Sequence, residues 1–510
     1  MLSFPFMSKT PNTDLFELIQ SLSKGEKRYF KIHASRHIIG DENKYVKLFD
    51  AICNQKVQDE KHLLKNESYI RQLPLLKKRL HGAVLKALDS YHNSIDANIR
   101  RQLHQAEILY EKALYEQAKK ILKNAKKLSS EHELQNYLLE ILRWETKIAW
   151  AQDSMDTIGK ILEEEKNILL SLDNLINYRV LNHKAFSIYY KHGIPRTPDY
   201  VKEVKQLLSN PLLKNPKLAL SFEAIHTYYH FMTIYHTMRQ DYAGAHNFGI
   251  KKLELFNTSP QKIKSYTNLY LGDLNDILIS SLMLKKYSSM EEYVGKLREL
   301  ETIITSERNK TILFFYSYHE LNYYVNTGQF QKAVKRVEQL EELFPLYERK
   351  MTTAKKAVLY TIFAVTYFGN KNFRKSIYYL NKIRNEPFHN VRTDIESLAQ
   401  LIYLIVHYEK GSDIALMQSL VRSTYRFLLK RNRLYKFEEC ILNFIRKKLS
   451  KVNSAKELIH AFKELKKEIA SMIKNPYNQS ILQDFDFESW LESKIEGKSF
   501  AEIVRRKSIS

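Results

Sequence analysis

Apolar side chains return every three or four residues along most of this chain, with Lys, Arg, Glu and Gln filling the positions between them. That spacing predicts amphipathic α-helices and leaves little room for strands, which would alternate with period two. The run AVLYTIFAVTYFG (357–369) has no charge at all. At about 13 residues it falls short of the roughly 20 needed to span a bilayer, so it predicts a helix buried on every side. Near the start, SLSKGEKRYFK (21–31) gathers basic and aromatic side chains. Its Ser23 and Glu26 form an S-x-x-E capping box, which predicts a helix start with Tyr29, Phe30 and His33 turned inward and Lys24, Lys27, Arg28 and Lys31 outward. A hydrophobic staple is missing, since Leu22 faces Lys27. The segment 69–94 predicts a further helix with Pro74 in its first turn. Its Lys77, Lys78 and Arg79 would suit a recognition helix, but no tight glycine turn joins it to the preceding LFDAIC helix, so packing against that helix is the expectation.

The apolar pattern itself repeats. Tyr287, Phe330 and Phe373 are evenly spaced at 43 residues, and each opens the order aromatic, small or apolar at +3, apolar at +7, apolar at +10. Tyr242 opens a copy upstream, Ile414 one downstream, and Tyr115 with Ala118, Leu122 and Ala125 a weaker echo. A fixed period of this size marks helical units that stack because none can bury its own apolar face. Proline-bearing breaks at 192–200, 209–218 and 257–262 interrupt the pattern. The expected organisation is an N-terminal helical region (1–94), a helical region with one weak repeat (95–225), five repeats (226–430), basic amphipathic helices (431–475) and a C-terminal cap and tail (476–510) carrying Phe485, Phe487 and Trp490.

These units resemble tetratricopeptide repeats, the TPR family. In one copy Tyr324, Gly328, Phe330, Ala333, Val337, Leu340 and Pro345 fall at that family's aromatic, turn-glycine, packing and closing-proline positions, and the next copy supplies Ala364, Tyr367, Phe373, Leu380 and Pro387. The units here are 41 to 45 residues long, where the family has about 34. The phrase LSKGEKRYFK also resembles the N-terminus of an uncharacterised bacterial helical family, a likeness that brings no activity with it. The TPR resemblance implies an all-α fold of antiparallel helix pairs stacked in a right-handed superhelix, an α-solenoid, whose first helices line a concave groove. The groove positions it implies are His230 and Ile234; Asn275 and Ile279; Tyr318, Asn322 and Asn326; Thr361 and Val365; Ile402 and Val406. His230, Asn275, Tyr318, Asn322, Asn326 and Thr361 are the polar candidates for gripping a peptide. Asn322 matches the asparagine of carboxylate-clamp members, but Tyr318 stands where their lysine would be, which argues against a clamp for acidic C-termini. The second helices, with Lys335, Arg336, Arg374, Lys375 and Lys382, are expected to face outward.

Charge adds an alternative. The chain has 81 Lys and Arg against 57 Asp and Glu, a formal net charge of +24. The excess concentrates in 421–475, where Arg422, Arg426, Lys430, Arg431, Arg433, Lys436, Arg446, Lys447 and Lys448 alternate with apolar residues. Such a block is the solvated face of amphipathic helices or an anion surface for nucleic acid. The 13 Gly and 11 Pro are too few for the turns of a many-stranded sheet. Two cysteines, Cys53 and Cys440, cannot staple a chain of 510 residues, and with no leader-like start they fit a cytoplasmic protein.

Motifs for catalysis are absent: there is no G-x-x-x-x-G-K, G-x-G-x-x-G, H-E-x-x-H or C-x-x-C. Glu223, His226 and His230 share a helix face at metal-ligand spacing, and Glu457 with His460 repeats half of it, but the two lie too far apart in a solenoid to meet. The expected protein is therefore a non-enzymatic, cytoplasmic scaffold for a protein or peptide, without cofactor, metal or membrane span. The alternative is a nucleic-acid-associated or regulatory protein acting through the basic C-terminal helices.

Overall fold

The computed structural model describes residues 13–35, 44–55, 59, 63, 73–192, 199–304, 306–385, 393–448, 454–473 and 485–509. Among these, regular structure is entirely helical, with no strand. The chain forms two compact units, Met1–Ile168 and Leu169–Ser510.

The first unit holds α1 (Asp14–Ser21), α2 (Lys24–Ser35), α3 (Lys44–Cys53), α4 (Leu73–Tyr91), α5 (Ile95–Glu111), α6 (Tyr115–Glu131), α7 (Gln135–Ala151) and the beginning of α8 (Met155–His192). The capping box forms as the sequence requires: the Glu26 N–H donates to Ser23 Oγ at 3.3 Å, and the Ser23 N–H donates to the Glu26 carboxylate at 2.7 Å. Phe30 is buried against Phe49, and Lys24, Arg28 and Lys31 are exposed. Pro74 sits in the first turn of α4, where its missing N–H has no helical partner to lose. That helix packs on α1, α2 and α3.

The second unit continues with α9 (Asp199–Leu207), α10 (Phe222–Met238), α11 (Tyr242–Asn257), α12 (Thr267–Met283), α13 (Tyr287–Ile303), α14 (Glu307–Asn326), α15 (Phe330–Tyr347), α16 (Thr353–Gly369), α17 (Phe373–Asn385), α18 (Thr393–Glu409) and α19 (Ile414–Lys430). After them come α20 (Lys436–Asn443), a π-helical turn (Phe444–Lys448), α21 (Ala455–Ile473), α22 (Phe487–Glu496) and α23 (Phe500–Ile509). Each residue that opens a copy of the sequence repeat (Tyr242, Tyr287, Phe330, Phe373 and Ile414) is the first residue of a helix. The +3, +7 and +10 positions after Phe330 and Tyr287 are Ala333, Val337 and Leu340, and Met290, Val294 and Leu297, all buried.

The turns before these helices share one geometry. Gln240, Lys285, Gly328, Lys371 and Gly411 all have positive φ, between 54° and 76°. In each case the next residue returns its N–H to the carbonyl five positions back, as Gln329 does to Tyr324 at 2.7 Å and Lys286 to Ser281 at 2.9 Å. This is the left-handed helix ending that glycine adopts without strain and other residues adopt at a cost of about 1 kcal/mol. Across these turns α12 also touches α14, α14 touches α16, and α16 touches α18. The uncharged run of 357–369 falls in α16, buried on all sides as its composition demands.

Two readings change. Pro345, matched to a unit-closing proline, lies inside α15 near its end, and Pro387 lies outside the described residues. Of the second-helix cations, Lys335 and Arg374 are exposed, but Arg336 pairs with Glu301 and Glu320, Lys375 reaches Glu341, and Lys382 lies over the rings of Tyr360 and Tyr378. Long basic stems cover apolar surface well, so an outer helix keeps some of its cations against its neighbours.

The C-terminal helices dock on the unit. Phe500 packs with Phe330, Phe368 and Phe485, and Trp490 donates its indole N–H to Glu409 at 2.7 Å while Lys494 reaches the same carboxylate at 2.6 Å. Gly328 permits this contact: a Cβ there would lie 2.7 Å from the Arg505 Cβ and 2.8 Å from its Cα.

Candidate functional site

One repeat places a full charge where the others pack. Ten residues after Phe330, Tyr287 and Phe373 stand Leu340, Leu297 and Ile383, and ten after Ile414 stands the uncharged Thr424, whereas ten after Tyr242 stands Lys252. The helix register carries this lysine inward, and its side chain is fully buried. An isolated buried ammonium is untenable, so its surroundings must supply negative charge. They do so from α12: Asp276 accepts from Lys252 at 2.5 Å and Asp273 pairs with it at 2.9 Å. The two aspartates are three residues apart on one helix, which places both on the same face.

Two histidines from α10, one turn apart, complete the cluster. His226 meets Asp273 at 2.9 Å and His230 meets Asp276 at 3.3 Å. Burial alone would raise both carboxyls, but the Lys252 ammonium and the adjoining histidine hold each well below the ordinary carboxylate range. Burial likewise disfavours the charged lysine, and the two aspartates reverse this and raise its pKa. Two carboxylates against one ammonium leave an excess of negative charge beside the histidine rings.

The cluster reaches the surface at one end. Asp273 is 2% exposed, whereas Asp276 keeps 19% and His230 keeps 29% of their side chains exposed. Beside them Asn275 donates to Asp276 at 3.3 Å and accepts from Tyr318 at 3.1 Å and His319 at 3.0 Å. Burial lowers His319 to about 3, so the ring is neutral, with its hydrogen on the Nε2 that faces Asn275. Its buried Nδ1 finds no donor among the described residues. Burial and the two aspartates keep the neighbouring Tyr316 hydroxyl protonated.

Of the expected groove residues, His230, Asn275 and Tyr318 therefore converge on one half-buried polar patch. Asn322 is 5% and Thr361 4% exposed, and the Thr361 hydroxyl donates to Ala357 in its own helix. Asn326 donates to the Asn322 backbone carbonyl at 2.9 Å. Asn322 and Thr361 are thus buried in the packing of α14 and α16, and Asn326 is half-buried. The expected site residues missed Lys252, Asp273 and Asp276, although the sequence carried a signal for the first: a lysine at a position that three other copies fill with Leu or Ile and one with Thr.

The metal-spaced residues separate. Glu223 pairs with Arg179 from α8, and His226 and His230 go to different aspartates. Among the described residues no group of three or more His, Cys, Asp or Glu is arranged to hold a metal ion, and no helix is long and apolar enough to cross a membrane.

The basic block is spread over three elements. Arg422, Arg426 and Lys430 are exposed along α19, with Arg426 Nε donating to the Arg422 carbonyl at 3.4 Å. Arg431 lies 3.5 Å from the buried Glu396, and Arg433 is half-buried. Arg446, Lys447 and Lys448 are exposed on the π turn, where Arg446 bonds Asn443 and Lys448 pairs with Glu464 at 2.6 Å. Lys436, Lys447 and Lys448 share a cavity of ≈ 280 Å³ with Glu439 and Glu468, so acid is interleaved with base there.

Comparison of the chain with protein-family models, curated proteins and solved structures finds no match in any of the three.

Proposed function

We propose that this protein is a non-enzymatic scaffold built on TPR-like helical repeats, and that it holds a protein or peptide segment across its first helices at the patch made by His230, Asn275, Asp276 and Tyr318. The observation that carries this reading is Lys252. A core position that packs perfectly well with leucine elsewhere in the chain is given to a charged network, and local rules are broken in this way where function requires it. The network fixes Asp276 and Asn275 from below, so their outward atoms present a preorganised set of acceptors and donors to a backbone or a cationic side chain. The recurring left-handed turn and the side-by-side contacts of α12, α14, α16 and α18 support a stack of helix pairs, in which neighbouring units make one continuous surface.

A second reading rests on Arg422, Arg426 and Lys430: among the described residues none has a carboxylate within ion-pair distance, and all three are exposed on α19. Nucleic acid bound there would be released steeply by salt, whereas a partner held at the patch would be less sensitive. The test is capture from native lysate at physiological salt, divided into nuclease-treated and untreated halves. The scaffold reading expects a protein that survives nuclease and is lost when Tyr318→Ala is combined with Asn275→Ala. Bound nucleic acid that vanishes with nuclease, unaffected by those substitutions, would overturn it in favour of α19.

A further inference from the structure

Away from that patch, α15, the turn after it, α16 and α17 line a half-open cavity of ≈ 340 Å³, within the size range of small-molecule sites. Its floor is built and already satisfied. Glu341 accepts from the Tyr379 hydroxyl at 2.5 Å and the Tyr367 hydroxyl at 2.9 Å, and Lys375 donates to Tyr367 at 2.8 Å and approaches Glu341 at 3.5 Å. Burial and the Glu341 carboxylate keep both tyrosines protonated, so they remain donors. Aromatic walls rise from this floor: Tyr360 stacks on Phe344 with ring centroids 5.5 Å apart, and Phe363 meets Tyr379 edge-on at 5.2 Å.

The rim is different, because its charges are unmatched. Lys382 sits 5.3 Å from the Tyr360 ring and 5.2 Å from the Tyr378 ring, and among the described residues no carboxylate lies within ion-pair distance of it. Glu348 lines the same cavity, equally without a cationic partner among the described residues, and does not pair with Lys382. The proline in α15 also takes the usual helical donor from one backbone acceptor. Pro345 has no amide hydrogen, so the Glu341 backbone carbonyl lacks the donor that a helix provides four residues on.

We propose that this cavity binds a small zwitterion with an aromatic body, of the class of the aromatic α-amino acids. Its carboxylate lies on Lys382, its ammonium faces Glu348 and the Glu341 carbonyl, and its ring lies against Tyr378, which lines the cavity and is 54% exposed. A flat π-system gains offset or edge contacts with that ring. A ligand bearing one charge alone leaves either Lys382 or Glu348 unmatched, and one without a ring leaves Tyr378 uncovered.

The test is isothermal titration calorimetry of the full-length protein with L-tryptophan, indole-3-propionate, which lacks the ammonium, and tryptamine, which lacks the carboxylate. Losing one charge-assisted hydrogen bond corresponds to a roughly tenfold or greater loss of affinity, so L-tryptophan should bind about tenfold tighter than either analogue. Lys382→Met should weaken L-tryptophan and indole-3-propionate about tenfold and leave tryptamine unchanged; Glu348→Gln should weaken L-tryptophan and tryptamine and leave indole-3-propionate unchanged. That crossed pattern cannot arise from misfolding, which would weaken all three together. No heat from L-tryptophan at millimolar concentration, equal binding of the three ligands, or uniform loss in both variants would overturn the proposal.

Discussion

Replacing Lys252 by leucine makes the Tyr242 repeat resemble its neighbours, which carry Leu297 and Leu340 at the same place, and yet it should be among the most damaging single substitutions in the chain. The ammonium lies 2.5 Å from Asp276 and 2.9 Å from Asp273. Without it, Asp273, at 2% exposure, is a buried carboxylate supported by His226 alone, while Asp276 retains some water. Breaking one side of a buried ion pair costs about 3–5 kcal/mol, and Asp273 dominates that loss. The pH dependence has a definite sign. In the native protein the two aspartates titrate below their ordinary range and Lys252 above its own, so their stabilisation persists from roughly pH 5 to 10, fading as acid protonates the carboxylates or base removes the lysine proton. In Lys252→Leu the balance reverses. Burial raises the unpaired carboxyls, and proton uptake by them relieves the repulsion, so the penalty shrinks as pH falls from 8 to 5.5. Urea unfolding read by Trp490, which is 1% exposed in the same unit, measures this once Trp144 and Trp150 are replaced by Phe. Combining Lys252→Leu with Asp273→Asn and Asp276→Asn should recover most of the loss. A penalty under about 1 kcal/mol at pH 8, or one that grows on acidification, would refute the account.

Gly328→Ala places a side chain at φ 70° and against Arg505; it should cost about 1–3 kcal/mol and speed amide hydrogen exchange across 487–509, and unchanged exchange there would sink the docking argument. Lys371→Gly, at φ 59°, should stabilise the second unit by about 0.5–1 kcal/mol in the same urea assay by relieving left-handed strain. Burial and then Glu468 push the Cys440 thiol up to about 12, so at pH 8 an aromatic disulfide reagent should titrate Cys53 in the native protein and Cys440 only after denaturation; two fast thiols would contradict its burial.

The sequence by itself determined the helices and the repeat register. Spacing of apolar side chains fixes which face of a helix leaves water, and a constant period fixes where the next helix begins, which is why Tyr242, Tyr287, Phe330, Phe373 and Ile414 all open helices. Ser23 and Glu26 are equally local, since a capping box closes within four residues. The candidate site was legible only in part. His230, Asn275 and Tyr318 could be placed on one side of successive helices, but the ion pairs that organise them join residues 21 to 47 positions apart across three helices. Periodicity describes one helix at a time and does not state which charges meet. Tertiary structure alone decided that a lysine in a core slot is matched by Asp273 and Asp276, that Asn322 and Thr361 are enclosed while Asp276 reaches solvent, and that the basic block divides among α19, α20 and the π turn. Burial makes each of these a matter of three-dimensional neighbours, because a charge removed from water is tolerated or excluded according to what lies within a few ångströms of it.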